Sequence, residues 1–123
     1  MAEGFEKLKI WQTGYELVLK IANVVSKFPE IQKYGLTVQL LKSSNSIIAN
    51  IAESQGRYTF VDKVRVMYIA RGELLETMSH LKVAYGLQYI DESLYTELTK
   101  EYTALLITIN GYIKFLSEKQ QSE

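Results

Sequence analysis

The chain of 123 residues carries 14 basic and 14 acidic side chains, so its formal net charge is zero and no global field drives it towards nucleic acid or membranes. Its length supports one domain, residues 1–123, and its 47% hydrophobic and 23% charged residues exclude a disordered or fibrous chain. The absence of cysteine excludes a disulfide framework and thiolate metal sites and fits the reducing cytoplasm, which is the localisation we expect.

Membrane insertion is not expected for this sequence. No apolar run approaches the roughly 20 residues that a membrane-spanning helix needs. The N-terminal sequence MAEGFEKLKIW lacks the basic and then apolar layout of a secretory signal. We therefore expect no membrane partner.

The first segment predicts an amphipathic helix that ends at Phe28, before the single proline, Pro29. Its apolar residues form two adjacent stripes at helical spacing. One stripe contains Leu8, Trp11, Tyr15, Val18, Ala22 and Val25, and the other contains Ile10, Leu17, Ile21, Val24 and Phe28. Because one stripe is enough to attach a helix to its own bundle, two stripes indicate that a second subunit covers a further face. Homo-oligomerisation is therefore our working hypothesis.

Three more helices follow in chain order. The second is expected from its N-cap, Thr37, to about Ser54, after which Gly56 takes a left-handed conformation. Short connections between four helices favour an antiparallel, up-down-up-down four-helix bundle in the all-α class.

Capping residues mark the third and fourth helices. The third starts at Thr59, with Asp62 three residues later in the manner of a capping box, and Gly86 is its expected C-cap. Asp91 is the expected N-cap of the fourth helix.

Arg71 interrupts the apolar stripe predicted for the third helix, which reads Phe60, Val64, Met67, Arg71, Leu74, Met78, Leu81 and Tyr85. An unpaired guanidinium in that position is costly, so it requires a partner. Glu53 is the preferred acid, in a polar network with Asn50, and Asn50 and Glu76 are the alternative partners. The network is interpreted either as structural or as a ligand or phosphate site, and Gly72 is expected to allow a close helix approach.

Three motifs in order, FPEIQKYGLTVQL, SIIANIAESQGR and YIARGELLE, are followed by GLQYI. They resemble the bacterial four-helix-bundle family encoded in intervening sequences of 23S rRNA genes, often labelled ribosomal-protein-like. The resemblance covers about Leu8 to Leu116. It implies a ring-like homopentamer, and the relatives include an accessory protein of diversity-generating retroelements that binds nucleic acid and a reverse transcriptase. Ile48 stands where relatives usually have proline, which puts a kink in the second helix in doubt.

A basic cluster lies near the middle of the chain. From Lys42 to Arg71 five basic residues face two acidic ones, and Arg57, Lys63 and Arg65 with the Tyr58 ring supply phosphate-binding charge and a stacking surface. A closed ring would repeat this cluster around one axis. The alternative is an ordinary solvated helix face.

No catalytic, metal or cofactor site is expected. A di-iron bundle needs two Glu-x-x-His pairs, whereas His80 is the single histidine and follows Glu76 by four residues. The sequence therefore predicts a non-enzymatic oligomeric protein that contacts RNA or DNA, with a reverse transcriptase as a further partner by resemblance. The alternative is a purely structural or protein-interaction scaffold.

Overall fold

The computed structural model describes residues 4–122, in which the chain forms four α-helices, two short 3-10 turns and no strand. The helices are α1 (Lys9–Val25), α2 (Leu36–Gly56), α3 (Phe60–Gly86) and α4 (Glu92–Ser122). The 3-10 turns are Phe5–Lys7 and Glu30–Gln32. The predicted all-α class with four helices is confirmed.

Successive helices run in opposite directions. Near the connection between α2 and α3, Ser54 Oγ donates to the Lys63 carbonyl at 2.9 Å. Further from that connection, Thr77 Oγ1 lies 2.8 Å from Ser43 Oγ although the two residues are 34 positions apart, so earlier residues of α2 lie beside later residues of α3. At the α3–α4 turn the rings of Tyr85 and Tyr95 stack at 4.6 Å. Each helix contacts the next, and α1 closes the bundle against α4.

A single apolar cluster fills the space between the helices. Each fully buried Leu, Ile or Met side chain contributes about 1.5–3 kcal/mol through apolar area removed from water. The fully buried aliphatic members are Ile21, Leu40, Ile47, Ile51, Met67, Leu74, Leu81, Leu98, Leu105, Ile109 and Leu116. No helix in the described part of the chain is both long and apolar enough to cross a lipid bilayer.

The two stripes on α1 differ in burial, although Val25 of the stripe that begins at Leu8 is buried and Leu8 and Trp11 pack against the core. The stripe from Ile10 to Phe28 is buried throughout, whereas the other is only partly buried and leaves Tyr15 41% exposed. The helix also ends earlier than predicted, at Val25. The Phe28 amide bonds to the Val25 carbonyl at 3.0 Å, three residues back, so the last residues form a tighter turn outside the α-helix.

Side-chain caps begin α3 and α4 as predicted. The Asp62 amide donates to Thr59 Oγ1 at 3.1 Å, and the Leu94 amide donates to Asp91 Oδ1 at 2.8 Å. For α2 the predicted cap, Thr37, is wrong. The helix begins at Leu36, and the Gln32 side chain accepts a 3.0 Å hydrogen bond from the Leu36 amide.

The predicted left-handed conformation of Gly56 is also wrong. No glycine has a positive φ among the described residues, and Gln88, at φ 65°, is the non-glycine residue that does. Gly56 completes α2, because the chain leaves the helix through an extended Arg57. Gly86 likewise remains helical as the last residue of α3.

Close helix approach occurs at Gly14, where sequence reasoning did not expect it. A Cβ atom built on Gly14 would overlap the Ile48 Cγ2 methyl of α2. The prediction for Gly72 is wrong, because a Cβ atom there would meet nothing within 4 Å. The α2 helix continues unbroken through Ile48.

Tyr102 carries its hydroxyl into the core. The residue is 1% exposed, and the hydroxyl has no hydrogen-bond partner within residues 4–122. Burial, with a smaller effect of Glu101, raises the pKa of Tyr102 strongly. The hydroxyl is therefore neutral and desolvated, and it adds little to stability.

We expect Tyr102→Phe to leave the free energy of unfolding unchanged or to raise it by up to about 1 kcal/mol, because an unpaired polar group leaves the core. Urea denaturation measures the change. Tyr89→Phe is the control, since the Tyr89 hydroxyl accepts a 3.2 Å hydrogen bond from Gln32 Nε2, and its loss should cost about 0.5–1.5 kcal/mol. A clear loss of stability in Tyr102→Phe would contradict an unpaired hydroxyl.

Candidate functional site

The α2–α3 corner is a short connection, residues 57–59, that exposes Arg57 and Tyr58. Arg57 Nη2 donates to the Glu53 carboxylate one turn earlier on α2. This hydrogen bond, with the charge of Glu53, raises the pKa of Arg57. Arg57 is thus locally paired, and the Glu53 carboxylate binds the residue that directly follows its own helix.

Lys63 binds the end of α2. Its ammonium donates to the Gln55 carbonyl at 3.0 Å and to the Ser54 carbonyl at 3.4 Å. Carbonyls in the last helical turn lack partners within the helix, and a cation there also meets the negative end of the helix dipole. Lys63 therefore has a structural role at the corner in addition to its charge.

Arg65 and Tyr58 complete the predicted set. Arg65 Nη1 lies 3.2 Å from Asp62 Oδ1, one turn earlier on α3. Tyr58 is 96% exposed. The structure thus brings the four predicted nucleic-acid residues to one corner, and it places a carboxylate beside both arginines.

The predicted network of Asn50, Glu53 and Arg71 is not formed. Arg71 is half-buried, its Nη1 donates to Asn110 Oδ1 of α4 at 3.0 Å, and its guanidinium lies 4.8 Å from the Tyr68 ring centroid. The Asn50 side chain donates to the Ser46 carbonyl at 2.8 Å.

The cause is the rotation of α3 about its axis. The buried line of α3 runs through Ala70 and Thr77, so Arg71 lies on the flank that faces α4. Glu53 and Asn50 belong to α2, which packs on the other flank. Arg71 therefore bonds to a neutral partner on α4, Asn110, instead of Glu53 or Asn50 on α2.

Charge is distributed unevenly between the two ends of the bundle. We call the end formed by residues 4–12, 50–68 and 111–122 the basic end. It holds seven basic side chains, Lys7, Lys9, Arg57, Lys63, Arg65, Lys114 and Lys119, against four acidic ones, Glu6, Glu53, Asp62 and Glu118. Sequence reasoning missed the lysines of α1 and α4, because residues so distant along the chain share an end only after the bundle forms.

The one histidine does not build a metal site. His80 Nε2 lies 3.4 Å from Glu76 Oε2, and desolvation, with the nearby charge of Glu76, raises the pKa of Glu73. Across residues 4–122, no group of three or more His, Cys, Asp or Glu side chains is placed to hold a metal ion.

Comparison with known proteins identifies one family. The model of the family described as 23S rRNA-intervening sequence protein matches residues 6–111. A crystal structure of a protein of unknown function from the S23 ribosomal protein family of Bacteroides thetaiotaomicron superposes with a TM-score of 0.79 at 25% identity. That alignment covers 85% of this chain and 95% of the Bacteroides chain. No curated protein matches the chain significantly.

Proposed function

The chain belongs to the 23S rRNA-intervening sequence protein family, and on this premise we propose that it is a non-catalytic, oligomeric protein that binds RNA or DNA through its basic end. The Bacteroides relative is described as a protein of unknown function, so that likeness adds no activity. The proposal is therefore argued from the charge and exposure of this chain's own residues.

The charge of the basic end carries the proposal. Seven cations against four carboxylates concentrate positive potential at one end of a chain whose formal net charge is zero. Lys7, Lys9, Lys114 and Lys119 have no carboxylate within 4.0 Å in the described structure, unlike the paired Arg57 and Arg65. Such cations neutralise phosphates and release counterions, which supports affinity without base recognition.

The Tyr58 ring adds a surface for stacking. It is 96% exposed beside these cations, so an unpaired base can stack on it without any movement of the core. The partner that fits this combination best is structured RNA with unstacked bases in its loops, and duplex DNA offers only the phosphate part of the contact.

Assembly would multiply this weak surface. We propose a ring-like homopentamer, as the family resemblance implies, in the cytoplasm. A cyclic ring relates its subunits by rotation about one axis, so bundles that stand along this axis present their basic ends on the same face of the ring. A reverse transcriptase remains the proposed protein partner by resemblance alone.

The test is a titration of fluorescent structured RNA and duplex DNA at several salt concentrations. We expect wild-type binding of about micromolar strength that weakens linearly on a log-log salt plot. A variant reversing three cations of the basic end should bind at least about tenfold more weakly, with a smaller salt slope. This charge-reversal variant carries Lys9→Glu, Lys114→Glu and Lys119→Glu. The matched control makes the same charge change nearer the other end of the bundle, with Lys27→Glu, Lys33→Glu and Lys100→Glu.

The same titration also tests a substitution that changes no charge. Tyr58→Ala should weaken binding of RNA with unpaired bases by about tenfold, because base stacking on an aromatic ring contributes about 1–3 kcal/mol. Tyr34 is the control, since it is 86% exposed but lies in the α1–α2 connection, towards the other end of the bundle. Equal effects of Tyr58→Ala and Tyr34→Ala would contradict a specific stacking role.

The alternative is a scaffold without nucleic-acid binding. Each of the three corner cations already has a structural role, which favours the scaffold. Arg57 and Arg65 each pair with a neighbouring carboxylate, and Lys63 binds carbonyls at the end of α2. Absence of binding to either nucleic acid at low salt would overturn our proposal in favour of the scaffold. Equal weakening by the two charge variants would place the contact elsewhere than the basic end.

A further inference from the structure

The first turns of α3 and the last turns of α4 form an open groove at the basic end. It has a volume of about 460 Å³, and we call it the α3–α4 groove. Its lining residues are Val61, Val64, Arg65 and Tyr68 of α3 and Ser117, Gln120 and Gln121 of α4. Ligand pockets in proteins have volumes of about 300–1,000 Å³, so this groove has room for a ligand the size of a nucleotide.

The α3 side of the groove offers an apolar surface with an aromatic ring. Val61 and Tyr68 are 43% and 48% exposed. The Arg71 guanidinium lies 4.8 Å from the Tyr68 ring centroid and belongs to the next turn of α3, whereas the other groove residues of this helix precede Tyr68. The ring thus lies between Arg71 and the rest of the groove along the helix, and a planar ligand in the groove can stack on it.

The α4 side of the groove supplies hydrogen-bonding groups. Gln120 and Gln121 are exposed there, and each side-chain amide can both donate and accept hydrogen bonds. Arg65 is the charged residue of the lining, which contains no acid. The groove therefore combines a stacking surface, paired donors and acceptors, and one positive charge.

A second cation stands beside the groove. Lys114 follows Asn110 by four residues and precedes Ser117 by three, so these residues share one face of α4. Asn110 bonds to Arg71 of α3, and Ser117 lines the groove, so this face of α4 is the one that meets α3. Lys114 is exposed on that face, between the two contacts. Positive charge along this line favours a ligand that carries phosphates.

We propose that the α3–α4 groove binds one unpaired base of an RNA loop, with adenine as the base that fits best. The base stacks on Tyr68, and its edge bonds to the amides of Gln120 and Gln121. Arg65 and Lys114 bind the neighbouring phosphates. This inference rests on the proposed function, and it adds base recognition to a contact that otherwise depends on charge and shape.

The chemistry of an unpaired base matches the groove on each side. A base has flat faces for stacking and an edge of hydrogen-bonding groups, and loop bases can leave their neighbours to use both. A glutamine amide can accept a hydrogen bond from the adenine N6 amine while it donates to N7. Bases inside a duplex have their faces covered by stacking, so the groove favours loops over duplex regions.

Three RNA hairpins with the same stem test the groove. Their loops consist only of adenosine, only of uridine or only of abasic ribose, so they share the phosphates and differ in the bases. Each hairpin is titrated at low salt with the wild type and with four variants. These are Tyr68→Ala, Tyr68→Phe, Tyr58→Ala and the double variant Gln120→Ala with Gln121→Ala. Circular dichroism measures whether each variant keeps its helicity.

The wild type should bind the adenosine loop at least about tenfold more tightly than the abasic loop, because it gains base stacking. Tyr68→Ala should weaken binding of the adenosine loop by about tenfold and leave the abasic loop unchanged, whereas Tyr68→Phe keeps the ring and should bind like the wild type. The double glutamine variant should lose the preference for adenosine over uridine. Tyr58→Ala is the control, and it should weaken both base-containing loops alike, since stacking alone tolerates every base.

Three outcomes would overturn the inference while the proposed function stands. They are equal wild-type affinity for the adenosine and uridine loops, an adenosine preference that survives in the double glutamine variant, and a Tyr68→Ala variant that binds the adenosine loop like the wild type. Equal weakening of the adenosine and abasic loops in Tyr68→Ala would also overturn it, because the lost contact would then not involve a base. Failure of the wild type to bind any hairpin at low salt would contradict the proposed function itself.

Discussion

Gly14→Val is expected to lower the free energy of unfolding by about 3 kcal/mol, since overpacking a filled helix contact forces side chains and backbone apart. Even the first added carbon would overlap the Ile48 methyl, and Leu105 Cδ2 lies 3.8 Å from that carbon. Valine adds further carbons in the same place. Valine has a higher helix propensity than glycine, so propensity alone predicts the opposite sign.

A matched control separates packing from propensity. Gly111 is a helical, exposed glycine at which a Cβ atom would meet nothing within 4 Å. Gly111→Ala should therefore raise the free energy of unfolding by up to about 1 kcal/mol, the helix-propensity difference. Denaturant titrations of both variants measure these changes. Unchanged or increased stability of Gly14→Val would show that α1 and α2 are further apart than described.

The Ile48 side chain supplies an independent check. Ile48→Ala alone should cost about 2–5 kcal/mol, because it removes buried carbons and leaves a cavity. Combined with Gly14→Val, the added valine occupies part of that space, so the double variant should lose less than the sum of the single losses. Strict additivity would mean that the two side chains do not meet.

A buried hydroxyl pair between α2 and α3 should also have a large effect. Ser43 and Thr77 are 1% and 0% exposed, and Thr77 Oγ1 lies 2.8 Å from both Ser43 Oγ and the Glu73 carbonyl. A hydroxyl has one proton, so Thr77 donates to Glu73 while it accepts from Ser43. Thr77→Val should lower the free energy of unfolding by about 2 kcal/mol. The buried Ser43 hydroxyl would lose Thr77 Oγ1 as its hydrogen-bond acceptor, and water cannot reach this contact to replace it.

A double variant tests whether the stability lost in Thr77→Val comes from the hydrogen bond between Ser43 and Thr77. Ser43→Ala should cost about 1 kcal/mol alone, and Thr77→Val with Ser43→Ala should cost less than the sum, since no unpaired hydroxyl remains. Thr108→Val is the control, because the Thr108 hydroxyl donates to a carbonyl of its own helix at 2.8 Å at an exposed position. Single losses that simply add would argue against a coupled Ser43–Thr77 pair.

Local chemistry determined the features that the sequence alone predicted correctly. The spacing of apolar residues predicted four helices, because a helical face repeats every three to four residues irrespective of its surroundings. Thr59 and Asp91 were predicted as caps from their residue types, and each accepts a hydrogen bond from the amide three residues later. The charges at the α2–α3 corner could also be read directly, since they are neighbours along the chain.

The tertiary structure decided what depends on the rotation and height of whole helices. On α3, apolar residues lie on the outer face as well as on the buried one, so the sequence did not show that Arg71 faces Asn110 rather than Glu53. Close approach could not be assigned to Gly14 until Ile48 was placed opposite it. The basic end exists because helix length and direction bring the lysines of α1 and α4 to the end of the bundle that holds the α2–α3 corner. The spacing of residues along the sequence does not show which residues share that end.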